Sequence, residues 1–361
     1  MKKTVLALAA IAASSAAFAQ SSVTLYGVVD MSVESVKGNT AGKSTTFNRV
    51  SSDNLATSRI GFKGVEDLGG GLKAKFQLES GLKTDTGAFG DTGRAFNRAA
   101  WVGISSAEAG ELRIGRQDSL IGAQIADTIG AQAYDASVVA GTSGGVTFRR
   151  IDNALTYIAP TFVPGLTLSA QYSTAVDSVT AGNNNAEATS GSAIGRGFGF
   201  AANFVQGPLA AGLSYIQVNT LANGNNENVG LYAYGAYDLG VAKLTAFYND
   251  DTNDGNRAVN GHRLYGFQAA VPVAAGLTVT GGYAYAHNVT SAGTFDAKGT
   301  KHDNAGIITL KAQYDLSKRT AVYALFTEVQ NSDNARLGLA SVATINDKSA
   351  RGLAVGVRHA F

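Results

Sequence analysis

Apolar side chains recur at every second position, segment after segment, from residue 23 to the C-terminus, and no other feature of the chain limits its fold so strongly. In the first segment Val23, Leu25, Gly27, Val29, Met31 and Val33 share one face, and Thr24, Tyr26, Val28, Asp30, Ser32 and Glu34 share the other. Leu72, Ala74, Phe76 and Leu78 alternate with Lys73, Lys75, Gln77 and Glu79. Leu166, Leu168, Ala170 and Tyr172 oppose Thr167, Ser169, Gln171 and Ser173; Ile308, Leu310, Ala312 and Tyr314 oppose Thr309, Lys311, Gln313 and Asp315. A period of two marks a strand with one apolar and one wetted face. The segments run to about 9–12 residues, the length a tilted strand needs to cross a bilayer, whereas strands of water-soluble domains are nearer about 5 or 6.

The connections are of two alternating kinds. Short, turn-like ones are Asp67–Gly71, Ala107–Gly110, Ala159–Gly165, Gln206–Pro208, Asp238–Gly240, Pro272–Gly276 and Asp315–Lys318, and they hold all 4 prolines. Proline cannot donate to a ladder and belongs at such ends. Long polar ones span 36–56, 83–93, 117–147, 176–195, 220–228, 250–261, 288–303 and 331–349. Seven short turns and eight long loops predict an all-β, 16-stranded antiparallel transmembrane β-barrel, with the short turns periplasmic and the long loops external. A barrel of that count leaves an aqueous lumen. No linker or second domain is legible.

The N-terminus reads differently. Met1-Lys2-Lys3 is cationic, Thr4 to Ala13 is apolar, and Ser14 to Ala19 ends in small residues. That order predicts a signal peptide over 1–19, cleaved between Ala19 and Gln20, and a barrel domain over 20–361. The chain carries 29 Lys+Arg and 27 Asp+Glu. Lys2 and Lys3 leave with the leader, so the remainder balances at 27 of each, which gives no footing for a nucleic-acid partner. There are no cysteines, hence no disulfide scaffold or thiol ligands. The mean hydropathy of +0.02 is too polar for a helical membrane protein and suits a wall with one wet side. A run of about 18 apolar residues, which a transmembrane helix requires, does not occur after residue 19.

Several stretches, spread from end to end, resemble the Gram-negative general porins, specifically the trimeric porins of the beta-proteobacterial type. They are Ser22-Val23-Thr24-Leu25-Tyr26-Gly27, the run Ser58 to Ala74 (SRIGFKGVEDLGGGLKA), Phe76-Gln77-Leu78-Glu79, Asn97 to Ile104 (NRAAWVGI), Gly115-Arg116-Gln117, Tyr314 to Thr320, and the terminal Gly356-Val357-Arg358-His359-Ala360-Phe361. The resemblance implies an outer-membrane homotrimer, one pore per barrel, narrowed by a third loop folded into the lumen. It implies that Phe361 belongs to the signal read by the barrel-assembly machinery. It carries Arg59, Glu79 and Arg98 onto constriction positions.

Alternation by itself puts Arg59, Lys63, Lys73, Lys75, Arg98, Arg113, Lys243, Lys311 and Arg358 opposite the apolar band, with Asp30, Glu34, Glu79 and Glu111. That side is the lumen, because a cation facing lipid at mid-depth costs about 2–4 kcal/mol. The third loop, Gln117 to Thr147, holds Asp118, Asp127 and Asp135 and no Lys, Arg or Glu, and Arg149 and Arg150 follow it. Alternation with Leu155 and Tyr157 selects Arg150 as the one facing inward. Acid on the loop against arginine on the wall predicts a transverse field at the narrowest point and weak selectivity leaning to anions. Trp101, Tyr157, Tyr172, Tyr283, Tyr285 and Tyr314 are expected on the apolar face as interfacial aromatics.

Other functions leave fewer marks. An enzyme needs a base near a nucleophile or carboxylate. The 4 histidines are His262, His287, His302 and His359, and no nucleophile elbow, metalloprotease helix motif or metal-ligand cluster accompanies them. No cofactor is expected. A substrate-specific channel would need an organised lumen track, and no run of adjacent lumen aromatics is visible. A soluble β-sandwich lectin or adhesin would need no detergent.

Overall fold

A computed structural model of the chain describes residues 22–40, 43–91, 93–128, 149–174, 196–219, 227–253, 261–287, 304–332, 335, 337–339 and 348–361. The leader, Ala19, Gln20, Asp135 and most of the long external connections lie outside the described residues. The strands are β1 (Ser22–Thr40), β2 (Lys43–Ser52), β3 (Arg59–Gly69), β4 (Leu72–Lys83), β5 (Ala88–Phe89), β6 (Ala99–Ser106), β7 (Gly110–Asp118), β8 (Arg150–Ile158) and β9 (Leu166–Ser173). They continue as β10 (Gly197–Gln206), β11 (Leu209–Asn219), β12 (Glu227–Asp238), β13 (Lys243–Asn253), β14 (Gly261–Ala274), β15 (Leu277–His287), β16 (Ala305–Asp315), β17 (Thr320–Asn331) and β18 (Ala350–Ala360). A helix, α1, spans Leu120–Thr128.

All pairings are antiparallel, and β1 closes the ring against β18, from Val28 opposite Ala360 to Lys37 opposite Arg351. Along its other edge β1 meets β3 through Ser22–Val28 and β2 through Met31–Thr40. β2 and β3 are therefore two parts of one stave, and β5 pairs only with the end of β4. The eighteen strands thus make sixteen staves, the number expected from the turns. A closed ring leaves no ladder edge unpaired, which a bilayer demands.

Side chains alternate as the period of two requires. On β18 Leu353, Val355 and Val357 are exposed while Ala350 and Ala354 are buried. Exposed Val33, Val102, Ile104, Ile114, Phe200, Leu213, Phe267 and Leu310 continue that apolar outer surface around the ring. A band of this extent fits lipid and not water. At the seam Gly27 and Phe361 exchange two backbone hydrogen bonds of 3.1 Å. The Phe361 ring lies over Gly27, where an added Cβ would come within 2.2 Å of the ring.

Three expectations are corrected. The span 36–56 is not one long loop: β1 runs to Thr40 and β2 begins at Lys43, and the irregular stretch is 53–58, inside the second stave. Its Asn, Thr and Ser residues read as loop, yet polar residues pair into a ladder as well as apolar ones where both faces are wet. Pro272 is not in the turn but near the end of β14, at a register shift between Pro272 and Ala274. The inward face is not polar throughout. Toward the end carrying the long connections, Val36, Ile216, Leu264, Ile307, Leu325 and Val329 are buried in one cluster with Leu55, Leu337 and Leu339. There chain segments pack against the wall, and packed surface favours apolar side chains.

Candidate pore constriction

Glu79, late in β4, is the centre of a polar cluster on the lumen wall. Arg98, just ahead of β6, donates its backbone N–H to the Glu79 carbonyl at 3.1 Å, and that bond brings the two side chains together. The Arg98 Nε then donates to Glu79 Oε1 at 2.5 Å. Arg59 Nε stands 3.6 Å from Glu79 Oε2, and the Tyr26 hydroxyl donates to the same oxygen at 2.9 Å. The pairing of β1 with β3 sets Tyr26 opposite Gly61, and the phenol lies across that glycine, filling the space a Cβ would occupy.

Arg59 reaches this point because the second stave is broken just before it. Buried Asp30 accepts backbone N–H groups from Asn54 (3.2 Å), Leu55 (3.4 Å) and Ala56 (3.1 Å), and the Tyr323 hydroxyl at 2.6 Å. A carboxylate that collects backbone donors left over by a break in the ladder holds the break in one shape. Arg59 donates to the Thr57 carbonyl within it at 2.9 Å.

Toward the short-turn end the network continues. Gln77 donates to the Tyr26 hydroxyl at 2.6 Å and accepts from Trp101 Nε1 at 3.2 Å. Lys63 lies 5.2 Å from the Tyr26 ring centroid and the Arg113 guanidinium 4.6 Å from that of Trp101. Glu111 takes Arg113 at 2.5 Å and Lys75 at 2.7 Å.

Facing this wall is α1. Ser119 caps it, its Oγ accepting the Gly122 N–H at 2.9 Å. The helix contacts β9, β10, β11 and β12, whose strands lie well round the ring from β4. Gln124 donates to the Ala202 carbonyl at 3.0 Å and to Asn203 Oδ1 at 2.8 Å. The Thr128 hydroxyl meets that of Tyr232, and Gln268 donates to the Thr128 carbonyl at 2.9 Å. Between helix and wall is a recess of about 250 Å³, lined by Glu79, Arg98, Trp101, Arg113 and Asp118 on the wall and by Gln124 and Asp127 on the helix. Burial, reinforced by the Asp118 carboxylate, pushes the Asp127 carboxyl above its ordinary value.

Arg59, Glu79 and Arg98 are thus brought together, Lys63, Lys75 and Arg113 stand on the same wall with Asp118 at the end of β7, and Asp127 faces them from α1. Lys73 and Lys311 sit on inward faces of β4 and β16 outside this cluster, and Arg358, on the inward face of β18 opposite Asp30, is close enough to act on Arg59. Arg150 Nε is 3.1 Å from Asp118 Oδ1, but alternation is not what puts it there. The ladder of β7 with β8 shifts between Gly115 and Gln117, and Asn153 takes a positive φ of 50°. That bulge breaks the count from Leu155, so that Ile151 is buried opposite Gln117. Trp101 is not an interfacial aromatic: it points into the recess, because alternation runs Val102 and Ile104 outward and Trp101 inward. The sequence reading also missed Asp152, which binds Arg116 and lies 3.5 Å from Arg94, tying the second loop to the root of the third. Those partners are far apart in sequence and left no local signal.

A closed antiparallel barrel, apolar outside and lined inside by paired charges, is the build of an outer-membrane pore protein. The chain belongs to the Gram-negative porin family, whose model matches residues 5–334. Outer membrane porin protein 32 of Delftia acidovorans is 33% identical over 389 aligned residues, with 100% of both chains covered. An outer membrane porin protein of Bordetella pertussis is 30% identical over 411 aligned residues, again with 100% of both covered. Among solved structures, the anion-selective porin from Comamonas acidovorans superposes with a TM-score of 0.78 at 28% identity, covering 95% of this chain and 100% of that one. OmpT of Vibrio cholerae, in its trimer form, shares the fold at a TM-score of 0.66 and 15% identity, covering 94% and 99%. The chain is a porin of the Gram-negative outer membrane, and its relatives are channel proteins and not enzymes.

Proposed function

We propose that the barrel is a water-filled channel for passive diffusion of ions and small hydrophilic solutes, leaning to anions, with its narrowest point between α1 and the Arg59–Glu79–Arg98 cluster. The observation that carries this is that two guanidinium groups share one carboxylate. The wall therefore keeps a net positive charge where it faces the recess, and Lys63 and Arg113 extend it. Low-dielectric walls concentrate the field of such a group in the water between them. Asp118 at the end of β7 and Asp127 on α1 temper the preference, which is why the selectivity is weak. In this reading the third loop enters the lumen through α1, whose hydrogen bonds go to inward-facing residues of β10, β12 and β14. The anion selectivity of the Comamonas acidovorans porin supports the sign of the preference. Homotrimer assembly and recognition of Phe361 by the assembly machinery follow from the family resemblance, removal of residues 1–19 follows from the cationic, apolar and small-residue order of the N-terminus, and all belong to the same proposal.

The test is the reversal potential of the refolded protein in planar bilayers under a salt gradient. A mild anion preference is expected, and a strong cation preference overturns the reading. Arg59→Glu or Arg98→Glu should move the reversal potential toward cations; a residue whose change leaves it unmoved does not stand in the constriction.

A further inference from the structure

The recess has a component that a purely electrostatic filter does not need. The chain's single tryptophan, Trp101, lines it, and its ring is held in place. The indole N–H is committed to Gln77, Gln77 to Tyr26, and Tyr26 to Glu79, so each hydrogen bond fixes the next. Beneath Trp101, across the ladder, stands Gly115 with φ of 129°, where a Cβ would come within 2.9 Å of the Trp101 Cα. The Arg113 guanidinium lies against the indole at 4.6 Å, and Arg98 lines the same recess. Among the described residues Glu111 and Glu79 engage these arginines through Nε, and a guanidinium carries five donors.

We propose that Trp101, Arg113 and Arg98 form a subsite for small aromatic carboxylates passing through the lumen. The inference rests on the pore reading above and names a solute class for it. A carboxylate takes the guanidinium donors, as any anion would. An aromatic ring attached to it also finds the indole–guanidinium stack, and a planar π-face gains there what a saturated ring of the same size does not. A tryptophan in a water passage otherwise only narrows it, and narrowing alone would not distinguish the two rings.

The experiment compares benzoate with cyclohexanecarboxylate on the folded protein. Chloride current through planar bilayers is measured as each acid is titrated in, and the emission of the lone tryptophan is followed over the same range. Benzoate should block saturably, with a half-blocking concentration about three- to tenfold below that of cyclohexanecarboxylate, and should change the emission with the same midpoint. In a Trp101→Leu variant that keeps the folded mobility on gels, the two acids should block alike. Equal block by both in the parent protein, or an emission that ignores benzoate while it blocks, overturns the subsite and leaves the pore standing. If Trp101→Leu does not fold, the emission titration of the parent protein decides. A folded protein that conducts no ions overturns the pore reading, and the subsite with it.

Discussion

Glu79 is bonded or close to two arginines and a tyrosine, and among the described residues its carboxylate is the only negative group directly at that junction. Its removal should act on charge more than on shape, since Arg98 keeps its backbone bond to residue 79. Glu79→Gln is expected to raise the anion-to-cation permeability ratio about two- to fivefold, read from reversal potentials. Asp127 supplies a pH dependence. Its carboxyl is held above the usual carboxylate range by burial and by Asp118, so it takes up a proton before an ordinary aspartate as pH falls. Protonation removes a negative charge from the recess. Anion preference should therefore begin to increase above the ordinary aspartate range of about 4 as pH falls, and Asp127→Asn should flatten the increase. An unchanged profile in Asp127→Asn would assign the titration elsewhere.

Among elements, α1 and the break at 53–58 are the ones that, in the proposed reading, set the width and the charge of the narrow point. The helix is held by uncharged groups, chiefly Gln124 and the Thr128–Tyr232 pair, with Ile121 buried beneath it. Gln124→Ala removes two hydrogen bonds at a buried site, a loss on the order of 2 kcal/mol in docking. Single-channel conductance should rise and the open current should become noisier, with no strong dependence on salt beyond that of the parent. Little of this was legible in sequence. Strands show themselves because their period repeats over many residues. A break closed by Asp30, and a bulge at Asp152 and Asn153, each depend on groups brought from distant strands. Trp101 was misplaced for a different reason: tryptophan suits a lipid interface by composition, while its parity with Val102 and Ile104, legible in the sequence, turns it inward.

At the scale of the molecule, the ring stands or falls at its seam. Gly27 is bonded twice to Phe361 and covered by its ring, so Gly27→Leu should displace the C-terminal residue and open the β1–β18 edge. An open edge cannot persist in lipid. That variant should lose the heat-modifiable folded band on gels, whereas Gly240→Ala, in a turn where a Cβ meets nothing within 4 Å, should keep it despite some strain at φ of 79°. The alternation, the strand length and the alternation of short and long connections together determined a sixteen-stave barrel, because each is a local, repeated property that the bilayer enforces on every strand alike. The residues Arg59, Glu79 and Arg98 were legible only through family resemblance. Their meeting at one carboxylate and the helix set across from them were decided by tertiary structure. They depend on register, on a broken stave and on which strands close the ring, and no single segment carries that information.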